Sequence, residues 1–417
     1  MSATSGAGAR TDGAYRLAAA FAVVVVGLAS RALVDRLLAQ AGGAERVAAW
    51  AQLQSVADLV SGVCGAGIGA GLTVLVAATP ERAAQLMRAA LTLGLGVSGI
   101  ALTGFAVASL AFGARLGAAP VEPALIALAA TAGWLAVIAS LCASLWAGQQ
   151  RQGRVLLLAA VAGALAVGAA AIPRSDLLLL VVAQALPGAA LALAFIARRA
   201  PVASREENLL SRQALQHYLP VGIAIGVASP AASFASRAIL ADALSWHDAG
   251  LVQALWRSSD WITSIAAGVL SLYFLPQLSV AAERGELAPA LRRAALAVLP
   301  ASAVALALLA WQQHSVLGFL YGDTFAVPDP AAALFYTGDL IRIAAWLPLF
   351  ALYALRRTRL LIVGEFLSLP LFALLLWSYG EKLTLAGAGL AWLATYAVYA
   401  AFNAAALAYV RSARGNK

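Results

Sequence analysis

The sequence predicts an all-α polytopic membrane protein: about 12 transmembrane helices in two parallel six-helix repeats around a central cleft. Three observations lead there. Hydrophobic residues make up 62% of the 417 positions and charged residues only 11%, with a mean hydropathy of +0.86, a composition that a soluble domain of this length does not tolerate. Apolar runs of bilayer-spanning length recur along the whole chain. A short pattern near the start returns, ungapped, in the second half.

Twelve apolar segments follow from bilayer thickness. The first six are Tyr15 to Leu38, Val47 to Ala77, Ala83 to Phe112, Ala124 to Ala147, Val155 to Ile172 and Leu177 to Ala197. The second six are Ala214 to Leu240, Ala249 to Leu278, Ala290 to Trp311, Ala331 to Leu355, Leu360 to Tyr379 and Leu383 to Val410. The domain plan is a disordered cytoplasmic N-terminus (1–13), an N-terminal bundle (14–198), a cytoplasmic linker (199–213), a C-terminal bundle (214–410) and a cytoplasmic tail (411–417). The linker, with Pro201, Glu206 and Glu207, is the one sizeable polar stretch near the midpoint.

The net charge of +9 is topological and does not imply nucleic acid. With loops assigned alternately to the two sides, one side collects Arg82, Arg88, Arg151, Arg154, Arg198, Arg199, Arg205, Arg212, Arg284, Arg292, Arg293, the Arg356 to Arg359 cluster and Arg411 to Lys417. The other holds only Arg46, Arg115, Arg174 and Lys382. Basic residues mark cytoplasmic loops, so both termini are predicted to be cytoplasmic. Arg10 and Arg16 precede an apolar run that lacks a small-residue cleavage site, which predicts an uncleaved first helix. Cys64 and Cys142 fall in apolar segments without disulfide or metal spacing, and His217, His247 and His314 sit near membrane boundaries without metal-ligand spacing.

Ala29-Ser30-Arg31-Ala32 recurs as Ala235-Ser236-Arg237-Ala238, 206 positions later, and the same offset pairs Trp50 with Trp256 and Gly62-Val63 with Gly268-Val269. An even number of spans per half makes the repeats parallel. Gln54, Asp58, Ser61 and Gly65 follow helical spacing along one face, and Arg257, Asp260, Ser264 and Ser271 form a similar stripe in the second copy. Small polar residues on such stripes commonly glue helices together. Charged ones are costly at membrane depth and point to a water-filled path.

Arg31, Arg237 and Arg257 lie inside apolar spans and are the candidates for binding an anionic head group. The remaining candidates, lining a cleft or coupling to an ion, are Asp35, Gln54, Asp58, Asp260, Asp339, Arg342 and Glu365. Arg31 with Asp35, Arg257 with Asp260, and Asp339 with Arg342 have the three- or four-residue spacing that lets neighbours on a helix neutralise each other. Asp58 and Glu365 have no basic residue at that spacing. They are candidates for proton coupling, since burial penalises a carboxylate's charge; Glu365 could alternatively reach the Arg356 to Arg359 cluster. Prolines at 187, 220, 230, 276, 300, 348 and 370 permit kinks in several spans.

Trp50-Ala51-Gln52-Leu53-Gln54-Ser55, followed by Asp58, Gly62 and Gly71-Leu72-Thr73, resembles the second helix of bacterial Wzx-type polysaccharide flippases, a branch of the multidrug/oligosaccharidyl-lipid/polysaccharide exporter superfamily. The resemblance implies movement of an undecaprenyl-diphosphate-linked oligosaccharide across the bacterial cytoplasmic (inner) membrane by ion-coupled alternating access, with Arg31, Arg237 and Arg257 attracting the diphosphate. It also implies polysaccharide polymerase and chain-length machinery as partners, with the lipid bilayer as solvent. No Gly-x-x-x-x-Gly-Lys-Ser/Thr phosphate loop occurs, so neither nucleotide hydrolysis nor a cofactor is expected. The alternative is an ion-coupled drug or metabolite exporter of the same superfamily. An enzyme is disfavoured because the longest outer loop, Gln312 to Pro330, is too short for a catalytic lobe.

Overall fold

The computed structural model describes residues 5–116, 122–172, 176–197, 205–216, 219–322, 325–355 and 357–415. The first part of the predicted linker (199–204), His217, and Arg174, Arg198, Arg199, Arg356 and Lys417 lie outside them. Two compact units form: residues 1–41 with 50–230, and residues 42–49 with 231–417.

The first unit starts with α1 (Ser5–Val63). Helix is assigned from Ser5, through residues expected to be disordered. Extending an existing helix by one residue is far cheaper than nucleating a new one, which favours such continuation. The predicted gap between the first two segments shrinks to a kink at Gly42 and Gly43, where Gly43 takes φ 67°, a region that only glycine occupies without penalty. A π-helical turn, Cys64–Gly69, then leads into α2 (Ala70–Ala78), and the helix axis bends by 51° across it. After it come α3 (Ala83–Leu116), α4 (Pro123–Gly148), α5 (Gln152–Ala171), α6 (Leu177–Ala197) and α7 (Arg205–Gln216). The last part of the expected linker is therefore helical, and its Leu215 plugs into a core built from Ile68, Leu72, Leu86, Met87, Val137 and Leu141. Gly133 and Gly188 let helices meet backbone to backbone: a Cβ on either would collide with the carbonyl of Ala57 or Leu135. Such small-residue contacts replace hydrophobic drive in a lipid solvent.

Helix α8 (Leu219–Ala243) carries Pro230 at the boundary between the units. The second unit continues with α9 (Trp246–Val269), whose first turn is capped by Ser245 accepting from the Asp248 amide at 3.0 Å. Another π-helical turn, Leu270–Phe274, precedes α10 (Leu275–Arg284). Then come α11 (Leu287–Trp311), α12 (Gln313–Tyr321), α13 (Asp329–Ala354), α14 (Thr358–Phe366), α15 (Leu369–Tyr379) and α16 (Leu385–Gly415). Helix α13 is the centre of this unit, packing most extensively on α16 and also on α9, α10, α11 and α14.

The two π-turns begin 206 residues apart, at Cys64 and Leu270, the offset that relates Arg31 to Arg237. Trp50 and Trp256, another pair at that offset, are both buried, and neither indole N–H has a hydrogen-bond partner among the described residues. The internal repeat thus extends to backbone irregularities and side-chain environments.

Among the described residues, eight helical spans are long and apolar enough to cross a membrane, nine when the bent α1–α2 pair is counted as one. Helices α8 and α9 overlap the predicted seventh and eighth segments but are not among them. Helix α9 carries Asp248, Arg257 and Asp260 besides Gln253, Ser258 and Ser259, too polar for a lipid-facing helix and suited to one packed against protein. The chain is an all-α, multi-pass membrane protein.

Candidate functional site: a charged and aromatic cluster in the C-terminal unit

Helix α13 presents Phe335, Asp339, Arg342 and Trp346 at i, i+4, i+7 and i+11; α16 presents Trp392, Tyr396, Tyr399 and Asn403 with the same spacing. Each set therefore forms one stripe on its helix. Gly338 makes their approach possible, since a Cβ there would run into the Trp392 ring. Trp392 is the hub of an aromatic cluster. Its ring centroid lies 4.8 Å from Tyr396, 5.0 Å from Phe372, 5.2 Å from Trp256 and 5.7 Å from Phe335.

The charges sit against this aromatic wall. Asp339 is 1% exposed, and its carboxylate lies 3.7 Å from the Arg342 guanidinium, which is 24% exposed. Neither carboxylate oxygen has a hydrogen-bond partner among the described residues. The adjacent Ser259 hydroxyl donates instead to the carbonyls of Leu255 and Trp256, at 3.2 and 3.1 Å. Arg342 stacks over Trp346 at 5.1 Å and Tyr396 at 5.4 Å, cation–π contacts that hold a guanidinium without consuming its edge donors. Asp260 of α9 and Glu365 of α14 lie within electrostatic reach of it. Ser258 and Tyr336 share a hydroxyl hydrogen bond at 3.2 Å. One guanidinium thus serves three carboxylates from three helices.

The structure sorts the predicted residues differently from their spacing. Asp339 and Arg342 come together. Asp260, placed with Arg257 by spacing, also joins this cluster. Glu365 lies within reach of Arg342, a partner 23 positions away that no helical spacing reveals. In the first unit Asp35 is 2% exposed, whereas Arg31 and Asp58 are exposed and Gln54 is half-buried. Arg31 and Asp35 thus occupy different environments on one helix.

Arg237 is 4% exposed and donates through Nη1 to Gln253 Oε1 at 2.8 Å, with Gln253 also 4% exposed. This bond ties α8 to α9, so its surroundings differ from those of its counterpart Arg31. Arg257 is half-buried on α9. Sequence reasoning missed Gln253, Trp346, Trp392, Tyr396 and Asn403. The i, i+4, i+7, i+11 stripe on α16 is the signal that could have found the last three.

No family model matches the chain. The Lipid III flippases of Escherichia coli (strain K12) and Shigella flexneri are each 26% identical to it over 189 residues. That match covers 44% of this chain and 44% of the relative's own length. Solved structures match over nearly the whole chain. An inward-facing multidrug resistance MATE family transporter of the MOP superfamily aligns with a TM-score of 0.68 at 13% identity, covering 94% of this chain and 99% of that one. The Lipid II flippase MurJ in an inward closed conformation aligns at 0.70 and 14% identity, covering 93% of this chain and 86% of that one. A MOP superfamily transporter from Pyrococcus furiosus Vc1 (DSM3638) aligns at 0.62 and 14% identity, covering 95% and 96%. The chain therefore has the fold of the MOP-superfamily transporters.

Proposed function

We propose that the protein is a flippase that carries an undecaprenyl-diphosphate-linked oligosaccharide across the bacterial cytoplasmic membrane by alternating access, for surface polysaccharide assembly. The observation that carries the reading is Arg31, an exposed guanidinium on a helix of membrane-spanning character. A charge of that kind is tolerated only beside water or a partner of opposite sign. A diphosphate supplies that sign, and a guanidinium binds it through paired charge-assisted hydrogen bonds. Arg257 is the second head-group residue. Arg237 is the third, acting from its buried bond to Gln253. The partial likeness to Lipid III flippases supports a lipid-linked substrate.

Asp35, Gln54 and Asp58 in the first unit, and Asp260, Asp339, Arg342 and Glu365 in the second, are proposed to line the path or couple it to an ion gradient. Both termini are cytoplasmic in this reading, and polysaccharide polymerase and chain-length machinery receive the product. The test is the pool of lipid-linked saccharide in a deletion strain, with surface polysaccharide measured in the same cells and after complementation. Accumulated lipid-linked units and lost polymer support flipping. Unchanged levels of both, with lowered tolerance of small toxic molecules, would instead favour the drug or metabolite exporter.

A further inference from the structure

We propose that Asp339 binds the coupling proton and that Arg342 is a shared cation, which the bound proton releases from Asp339 to Glu365 and Asp260. This deepens the ion-coupled transport reading and rests on it. The Asp339 oxygens receive no hydrogen bond from the described residues. The separation of 3.7 Å from Arg342 exceeds the roughly 2.7–3.2 Å of a hydrogen bond from nitrogen. The ionised carboxylate is thus held by one charge acting through space. The neighbouring donors that could have fixed it are engaged or turned away: Ser259 donates to backbone carbonyls, Ser258 is paired with the Tyr336 hydroxyl, and the Trp392 indole N–H has no hydrogen-bond partner among the described residues.

Three carboxylates share one guanidinium here, and the guanidinium cannot give up its proton. A proton entering the cluster must therefore settle on a carboxylate. It arrives from bulk water, forms one O–H bond at a carboxylate oxygen, leaves a water molecule behind and makes the cluster more positive by one charge. A bare metal cation fits less well, because it would need several oxygen ligands beside a fixed positive charge and among indole and phenol rings. The remaining titratable groups facing the cluster are Tyr336 on α13 and Tyr396 and Tyr399 on α16.

Arg342 itself is held by the faces of Trp346 and Tyr396, contacts that do not depend on which carboxylate it pairs with. When Asp339 is neutralised, the attraction of Arg342 falls on Glu365 of α14 and Asp260 of α9, so a proton bound on α13 alters the pull on two neighbouring helices. The open edge of Arg342 is the way in for the proton.

The test is infrared difference spectroscopy on the full chain in lipid nanodiscs, between about pH 6 and pH 8, where solvent-exposed carboxylates stay ionised. The expected result is a carboxylic-acid carbonyl band on acidification that is lost in Asp339→Asn, kept in Glu365→Gln and shifted in Arg342→Lys. A band that survives Asp339→Asn overturns the proposal. So does a matching change produced in the unaltered protein by sodium at constant pH, a measurement that needs no variant to fold. Flipping of a lipid-linked oligosaccharide is assayed separately in proteoliposomes. The expected band without any lipid movement would refute the flippase reading while supporting the proton site.

Discussion

Asp339 and Arg342 stand one helical turn apart on α13, the carboxylate 1% exposed and the guanidinium 24% exposed. A buried pair of this kind stabilises a fold less by its own attraction than by the cost of leaving either member alone. Arg342→Ala is therefore expected to destabilise the protein by about 3 kcal/mol, and Asp339→Ala by a similar amount. The double variant Asp339→Leu with Arg342→Met should lose less than the sum. Unfolding of the purified variants in detergent measures all three.

The two arginines related by the internal repeat should respond differently. Arg237→Ala strands the buried Gln253 amide, a loss of about 1.5–3 kcal/mol for a hydrogen bond to a charged group, and the expected result is lower melting temperature and lower abundance in the membrane. Arg31→Ala removes an exposed side chain. It should leave both quantities unchanged and abolish surface polysaccharide in the complemented deletion strain. Normal polysaccharide in an abundant Arg31→Ala protein would refute the proposed head-group role.

At Gly338 the collision partner of an added Cβ is the Trp392 ring. Gly338→Ala should cost about 1–3 kcal/mol through overpacking, measured by thermal unfolding. Combining it with Trp392→Phe should recover part of that loss, because the smaller ring leaves room. Gly168 is the matching control: a Cβ there would meet nothing within 4 Å, and Gly168→Ala should be neutral or slightly stabilising.

Gly43, at φ 67°, should also resist substitution. Gly43→Ala places a Cβ in the left-handed region at a cost of about 1–2 kcal/mol, although nothing crowds the site. The same change at Gly27, inside regular helix with open space around it, should stabilise by a few tenths to about 1 kcal/mol. A thermal-unfolding comparison of the two variants reads backbone conformation apart from packing.

Composition and periodicity made the helices legible, because a bilayer demands long apolar runs and satisfies backbone groups only within helices or closed barrels. The kink at Gly42 and Gly43 was harder to place: Gly-Gly reads equally well as a loop. Among the candidate residues, spacing along one helix revealed Asp339 with Arg342. It could not reveal Glu365 beside Arg342 or Gln253 beside Arg237, since those meetings depend on how separate helices pack. The aromatic stripe of α16 was written in the sequence. Alone it reads as ordinary apolar surface, and only the facing stripe of α13 gives it a charge to hold.

The paired π-turns have a consequence for the history of the chain. Such a turn spoils local hydrogen-bond geometry and is rarely kept without use, yet it occurs at corresponding positions in both halves. The simplest ancestry is a single six-helix gene that already carried the irregularity when it was copied. Arg31 and Arg237 then record what happened afterwards, as one daughter kept its arginine exposed while the other enclosed it and spent it on Gln253.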